Sequence, residues 1–159
     1  MDKPAVKLTN HILTDAEKRA ICAWKYPGEY AVYDLPSYEM MAERKLGFMN
    51  PQREKNYHAF YDGAALVGFV NIKEEEQEVF IGIGVHPDHC DEGYGQQILK
   101  DAYDISRTLY PSKPLYLEVR TWNQRAISCY LKAGFAIGGE PFEQETLSGK
   151  STFYRMTKR

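Results

Sequence analysis

Hydrophobic and polar positions along this chain follow two periods, and glycine, proline and capping residues mark where one gives way to the other. A short strand is predicted over Ala5 to Leu8. Thr14-Asp15-Ala16-Glu17 then reads as a capping box, in which hydroxyl and carboxylate each satisfy a backbone N–H at the start of a helix. That helix carries Ala20, Ile21 and Trp24, and Pro27-Gly28 is expected to stop it. A second short helix is predicted from Ser37 to about Lys45, with loop from Gly47 to Lys55. Tyr57 to Tyr61 and Ala65 to Ile72 flank Asp62-Gly63, a strong hairpin turn signal. Glu74-Glu75-Glu76 makes another turn, and Gln77 to Val85 returns as a strand.

Farther on, Ile98, Ala102, Ile105 and Leu109 share one helical face, so Gly93 to Leu109 is predicted as a helix. Pro111 and Pro114 bound the loop before a strand beginning at Leu115. Ala126 to Ala133 is helical and closes at Gly134, and Phe135 to Ile137 and Thr152 to Met156 supply late strands. The sum is an α/β (α+β) fold: a mixed, mostly antiparallel central sheet with helices on both faces. No repeat or interdomain linker interrupts it, so residues 1–159 are expected to form a single domain.

Composition narrows the classes. Hydrophobic residues are 43% and charged residues 26%, values usual for a globular protein. A net charge of −2 gives no basic field for nucleic acid or an anionic membrane. No apolar run approaches the roughly 20 residues of a membrane span. Met1-Asp2-Lys3-Pro4 lacks the apolar core of a secretory signal. Cys22, Cys90 and Cys129 are too few and scattered for a disulfide framework, and a cytoplasmic location is expected.

Candidate chemistry begins at Val85-His86-Pro87-Asp88-His89-Cys90-Asp91-Glu92-Gly93-Tyr94-Gly95. This segment joins the apolar run Val79 to Val85 to the helical run starting near Gly93. A glycine-bearing turn there points several backbone N–H groups outward together, with the positive end of a helix dipole behind them, an arrangement that favours phosphate or pyrophosphate. Glycines at such turns are also common for geometric reasons alone. Downstream, Leu115-Tyr116-Leu117-Glu118-Val119-Arg120 is followed by Thr121-Trp122-Asn123-Gln124-Arg125-Ala126-Ile127-Ser128-Cys129-Tyr130-Leu131-Lys132-Ala133-Gly134-Phe135. Together the two segments resemble the GNAT superfamily of acetyl-CoA-dependent N-acetyltransferases. The first is similar to that family's pyrophosphate turn, Val-x-Pro followed by Gly-x-Gly. The second is similar to its Asn-x-x-Ala-x-x-x-Tyr-x-x-x-Gly-Phe segment, and the Leu-Glu-Val-Arg strand resembles the bacterial enzymes that acetylate protein N-termini. The resemblance runs from about Tyr57 to Phe135.

The resemblance implies a GNAT fold and direct acetyl transfer from acetyl-CoA, as co-substrate, to a primary amine. Amides of Cys90, Asp91, Glu92, Gly93, Tyr94 and Gly95 would surround the pyrophosphate, with Gly93 and Gly95 free of blocking side chains. Ile83, Gly84 and Val85 would offer backbone groups to the pantetheine arm and an N–H to the thioester carbonyl. Gly82 and Gly84 inside a strand suggest a bulge or a close backbone approach. Asn123 reads as an N-cap, a coenzyme contact or both. Tyr130 is the general-acid candidate, because a phenol with pKa near 10 suits protonation of a thiolate. Glu118, on the opposite strand face from Leu117 and Val119, is the general-base candidate or else the partner of Arg120. Glu78 is the alternative base, acting through a water. Where this chain has Cys90-Asp91-Glu92 the family usually has Gln or Arg and then small or basic residues. Two carboxylates there would disfavour a pyrophosphate by about 1 kcal/mol each.

Other readings stay open at this level. A non-catalytic acyl-CoA-binding or regulatory domain would carry the same motifs. A nucleotide-binding module is disfavoured by the lack of a Walker lysine and of a full Gly-x-Gly-x-x-Gly. His86, His89 and Cys90 lack a fourth ligand at a customary spacing, so no metal is expected. Trp24, Tyr26, Tyr30, Tyr33 and Tyr38 are core or lid rings, or else hold the acceptor by cation–π contact. The acceptor is a small-molecule amine or a protein N-terminus. A homodimer is considered through Thr152 to Met156 as an edge strand.

Overall fold

The computed structural model describes residues 7–159; Met1-Asp2-Lys3-Pro4 and the Ala5-Val6 half of the first predicted strand lie outside them. The elements are β1 (Thr9–Ile12), α1 (Asp15–Cys22), α2 (Tyr38–Arg44), β2 (Tyr57–Asp62), β3 (Ala65–Glu74), β4 (Val79–Val85), α3 (Tyr94–Leu109), β5 (Leu115–Arg120), α4 (Gln124–Lys132), β6 (Ala136–Thr146) and β7 (Gly149–Lys158). Single 3-10 segments occupy Gly28–Tyr33, Gly47–Met49, Glu54–Asn56 and Pro87–His89. The strands form one sheet in the order β1-β2-β3-β4-β5-β7-β6. Pairs β1–β2, β2–β3, β5–β7 and β6–β7 are antiparallel, and β4–β5 is parallel. A parallel pair needs a crossover, and α3 supplies it. The predicted mixed, mostly antiparallel α/β sheet is what forms.

The described chain divides into two compact units, one running to Asn71 and including Ile83–Ile98, the other made of Ile72–Gly82 and Leu99–Arg159. In the first, Leu13, Ile21, Cys22, Trp24, Met41, Phe48, Tyr57 and Ala59 form a buried cluster. The capping box forms as predicted: the Glu17 N–H donates to Thr14 Oγ1 at 3.2 Å, and the Thr14 N–H donates to Glu17 Oε1 at 2.8 Å. The same carboxylate also accepts from the Tyr61 hydroxyl of β2 at 2.5 Å and lies 2.7 Å from His11 Nε2. One capping residue thereby joins α1 to β1 and β2.

In the second unit, Leu115, Leu117 and Val119 are buried while Tyr116 and Glu118 lie half-buried on the opposite face, as period two requires. Gly134 ends α4 with φ +97°, the left-handed conformation that glycine adopts without penalty, and Lys158 Nζ donates to the Ala133 carbonyl at 2.8 Å.

Four boundaries differ from the prediction. The first described strand is Thr9–Ile12, and Lys7 and Leu8, the described half of the predicted Ala5 to Leu8 strand, lie before it. Helix α1 ends at Cys22, with Ala23 as its cap, so Trp24 lies beyond the helix and Pro27-Gly28 is not what stops it. The loop from Gly47 to Lys55 contains two 3-10 turns. Strands β6 and β7 run beyond the predicted Phe135 to Ile137 and Thr152 to Met156, β6 through Gly138-Gly139-Glu140-Pro141 to Thr146 and β7 from Gly149. The register shift between Gly138 and Phe142 absorbs that irregular stretch, and Pro141 is tolerated because β6 ends the sheet. For the same reason Thr152 to Met156 is no edge: β7 is flanked by β5 and β6.

Burial pushes Glu17 toward the neutral form, but hydrogen bonds from the Thr14 backbone, Tyr61, His11 and the Thr14 hydroxyl outweigh it and hold the carboxyl below its usual range. A group depressed in the fold stabilises it above the unfolded carboxyl pKa, and that contribution is lost as pH falls through the folded value. Glu17→Gln should therefore cost about 2 kcal/mol at pH 7. The difference from the parent should shrink as urea unfolding is repeated at progressively lower pH.

Candidate functional site

The residues singled out in the sequence fall into two groups, one in each unit. In the first unit, β4 ends at Val85 and the chain turns at once. The His86 N–H donates to the Val67 carbonyl of β3 at 2.8 Å. His86 then caps the 3-10 turn Pro87–His89, its Nδ1 accepting from the Asp88 N–H at 3.0 Å. Its ring meets Trp24 edge-on at 4.9 Å, and burial lowers its pKa. Nδ1 is therefore unprotonated and committed to the turn. The Cys90 thiol donates to the His86 carbonyl at 3.6 Å. Among the described residues no group of three His, Cys, Asp or Glu side chains is placed to hold a metal ion.

Asp91 and Gly93 both take left-handed backbone, with φ +66° and +86°. A Cβ on Gly93 would meet nothing within 4 Å, so conformation rather than space demands glycine there. The sequence assigned Gly93 to unblocked approach; the backbone gives the other reason. The Gln97 N–H donates to the Gly93 carbonyl at 3.2 Å and opens α3, whose first-turn amides have no partner within the helix.

Side chains brace this turn. The Tyr94 hydroxyl donates to Asp62 Oδ2 in the β2–β3 hairpin at 2.6 Å, and that hydrogen bond pushes the phenol up to about 12. Glu92 Oε2 lies 3.0 Å from His89 Nδ1, and the His89 ring meets Tyr94 edge-on. Glu92, read in the sequence as unfavourable to an anion, is thus turned onto a histidine of its own loop. Gly84 answers to packing: a Cβ there would run into the Phe69 side-chain ring, a contact that the sequence reading of a bulge or a close backbone approach did not name. Ile83, Gly84 and Val85 close β4, and the Val85 carbonyl already accepts from the Tyr26 hydroxyl at 2.8 Å. Tyr26 is a site neighbour that its sequence context could not single out from the other aromatic residues around it.

In the second unit, Asn123 caps α4, its side chain accepting from the Ala126 N–H at 3.1 Å, and Tyr130 lies half-buried toward the end of that helix. Glu118 stands opposite Arg155 in the β5–β7 ladder. Its predicted alternative partner, Arg120, turns instead to the β6–β7 turn, donating to Thr146 and Ser148 hydroxyls at 3.4 Å each. Among the described residues none hydrogen-bonds or ion-pairs with the Glu118 carboxylate. Glu78 is bound by the Arg155 guanidinium, which also lies 4.0 Å over the Tyr116 ring. Burial and a hydrogen bond to Glu75 at 2.7 Å raise the Tyr116 phenol well above its ordinary value. Arg155 carried no sequence signal, because its neighbours are set by strand register alone.

The chain belongs to the acetyltransferase (GNAT) family, whose model matches residues 14–135. The match begins well before Tyr57, where the resemblance was first legible. The spermidine N(1)-acetyltransferase of Escherichia coli K12 is 29% identical over 104 residues, covering 64% of this chain and 56% of that protein. An uncharacterized N-acetyltransferase, YfmK, of Bacillus subtilis is 31% identical over 84 residues, covering 48% and 51%. The chain spans about half the length of the curated relatives it matches. Among solved structures, the Vibrio cholerae spermidine N-acetyltransferase in complex with CoA and spermine superposes with TM-score 0.76 at 22% identity, covering 94% of both chains. The Escherichia coli ribosomal-protein-S18-alanine N-acetyltransferase superposes with TM-score 0.66 at 19% identity, covering 96% and 93%. At these identities the likeness is one of fold.

Two glycine substitutions separate the two demands on the turn. Gly84→Ala should destabilise by about 2 kcal/mol through overpacking against Phe69. Gly93→Ala should cost about 1 kcal/mol through backbone strain alone. Chemical unfolding of both variants measures the difference.

Proposed function

We propose that the protein transfers the acetyl group of acetyl-CoA to a primary amine by direct attack, using residues 1–159 as one catalytic domain. What carries this reading is the family match over residues 14–135, which spans the Val85–Gly95 turn and the Asn123–Phe135 segment. Amides of Cys90 through Gly95 hold the pyrophosphate, with Gly93 setting their direction. The contact of Glu92 with His89 turns that carboxylate onto its own loop. Ile83, Gly84 and Val85 line the pantetheine arm, with the Val85 carbonyl reserved for Tyr26. Asn123 holds the start of α4 and so places Tyr130.

The amine nitrogen attacks the thioester carbonyl carbon, forming the C–N bond as the C–S bond breaks. Glu118 takes the proton from the amine through a water, and Tyr130 gives its proton to the departing thiolate. Glu118 suits the role because no cation of its own unit already occupies its carboxylate. Two acceptor classes are consistent with the relatives: a small polyamine, as for the Escherichia coli spermidine enzyme, and a protein N-terminus, as for the S18 enzyme. The three free cysteines accord with a cytoplasmic setting. No helix of the described residues is long and apolar enough to cross a membrane. A homodimer belongs to the same reading, with β1 and β6 rather than β7 as the ends of the sheet; light scattering on the purified chain tests it.

Calorimetric titration with acetyl-CoA, with ATP as comparison, should give micromolar binding for the first and far weaker binding for the second. A CoA-release assay over spermidine and N-terminal peptides should then show turnover. Tyr130→Phe should lower kcat at least about tenfold and Glu118→Gln about a hundredfold, with acetyl-CoA affinity retained. Binding without turnover on any amine would replace this reading with a non-catalytic acyl-CoA-binding domain.

A further inference from the structure

Arg155 has two carboxylates within reach and binds one of them. It faces Glu118 directly across the β5–β7 ladder, where side chains of opposed residues leave the same face of the sheet about 5 Å apart. Its guanidinium nevertheless points away along β5, over the ring of Tyr116, to Glu78 just before β4. Tyr116 is two residues from Glu118, so the displacement along the strand is about 7 Å. Phe80 stands opposite Tyr116 in the β4–β5 pair, its ring 5.4 Å away, and the Tyr116 hydroxyl is fixed by Glu75. On the other side of Arg155, β6 offers Gly138, which has no side chain to hold it.

We propose that Glu78 is a positioning residue: together with the Tyr116 ring, it holds Arg155 off Glu118 and so keeps the Glu118 carboxylate free to accept a proton. This rests on the assignment of Glu118 as the base, and it gives Glu78 a different task from the direct proton transfer considered for it in the sequence. The groups facing Glu118 on this sheet face are Arg155 from β7, Tyr116 and Arg120 on its own strand, and Glu78 and Glu75 from the start of β4 and the turn before it. Arg120 is held at the β6–β7 turn, so Arg155 is the cation whose position decides the environment of Glu118.

Without Glu78, Arg155 loses its ion pair and turns to its cross-strand neighbour. A guanidinium there favours the ionised carboxylate, so the acid limb of the activity profile moves to lower pH, while the bound carboxylate becomes a weaker acceptor and kcat falls. Removing Arg155 as well abolishes the competition. The experiment compares the parent chain with Glu78→Ala, Arg155→Met and the double variant. Its two readouts are the carbon-13 carboxyl titration of Glu118 and kcat across pH with acetyl-CoA and the acceptor that the parent turns over.

The expected result is a Glu118 titration moved down by about one pH unit in Glu78→Ala, with kcat reduced about tenfold, and both restored in the double variant. An unmoved Glu118 titration in Glu78→Ala overturns the proposal. A shift without recovery of kcat in the double variant also overturns it and makes Glu78 the base. Glu78→Gln, which keeps the shape and removes the charge, gives the same comparison if Glu78→Ala does not fold. Full turnover in Glu118→Gln would defeat the base assignment alone, since the carboxyl titration still reports where Arg155 sits.

Discussion

The parallel pairing of β4 with β5 is the constraint from which the rest of this structure follows. Val79 opposite Leu115 and Phe80 opposite Tyr116 leave the chain at the wrong end of β4 to enter β5 directly. It must turn and come back, and α3 is the return path. A tight turn from strand into helix forces some residues into left-handed backbone, here Asp91 and Gly93, and leaves first-turn amides without helical partners. The same geometry that solves the crossover produces a surface suited to an anion. Topology comes first, and the chemistry makes use of what topology leaves open.

Carboxylates are the second theme. Glu17 is taken up by a threonine, a tyrosine and a histidine, Glu92 by His89, Glu75 by Tyr116 and Glu78 by Arg155. Each pairing gives a carboxylate a hydrogen-bonding partner close at hand. Glu118 differs: the arginine opposite it is engaged elsewhere. An unpartnered carboxylate on a sheet face is costly unless it has a task, which is why its environment carries weight that its position in the chain alone does not.

The family's fold persists at 19% and 22% identity to solved relatives. Such persistence is expected where backbone pairing and a few glycine-dependent contacts, such as Gly84 against Phe69, set the architecture. Acceptor choice resides in side chains that vary freely on that frame, so the shared fold selects no acceptor.

The sequence by itself determined the elements whose signals are local. The capping box at Thr14, the Asp62-Gly63 hairpin, the amphipathic run of α3, the Asn123 cap and the Gly134 stop all depend on residues within a few positions of one another, and each formed. The turn and the Asn123–Tyr130 segment were legible for the same reason, as short motifs. Where a boundary depended on distant partners, local reading failed: β6 runs past the predicted end at Ile137 to Thr146, because β7 continues to pair with it there. Only the tertiary structure decided that Gly84 yields to Phe69, that Tyr94 is tied to Asp62, and that Arg155 binds Glu78 rather than the residue facing it. Those partners lie 15 to 77 residues apart, and strand register and packing, which no short window along the chain contains, bring them together.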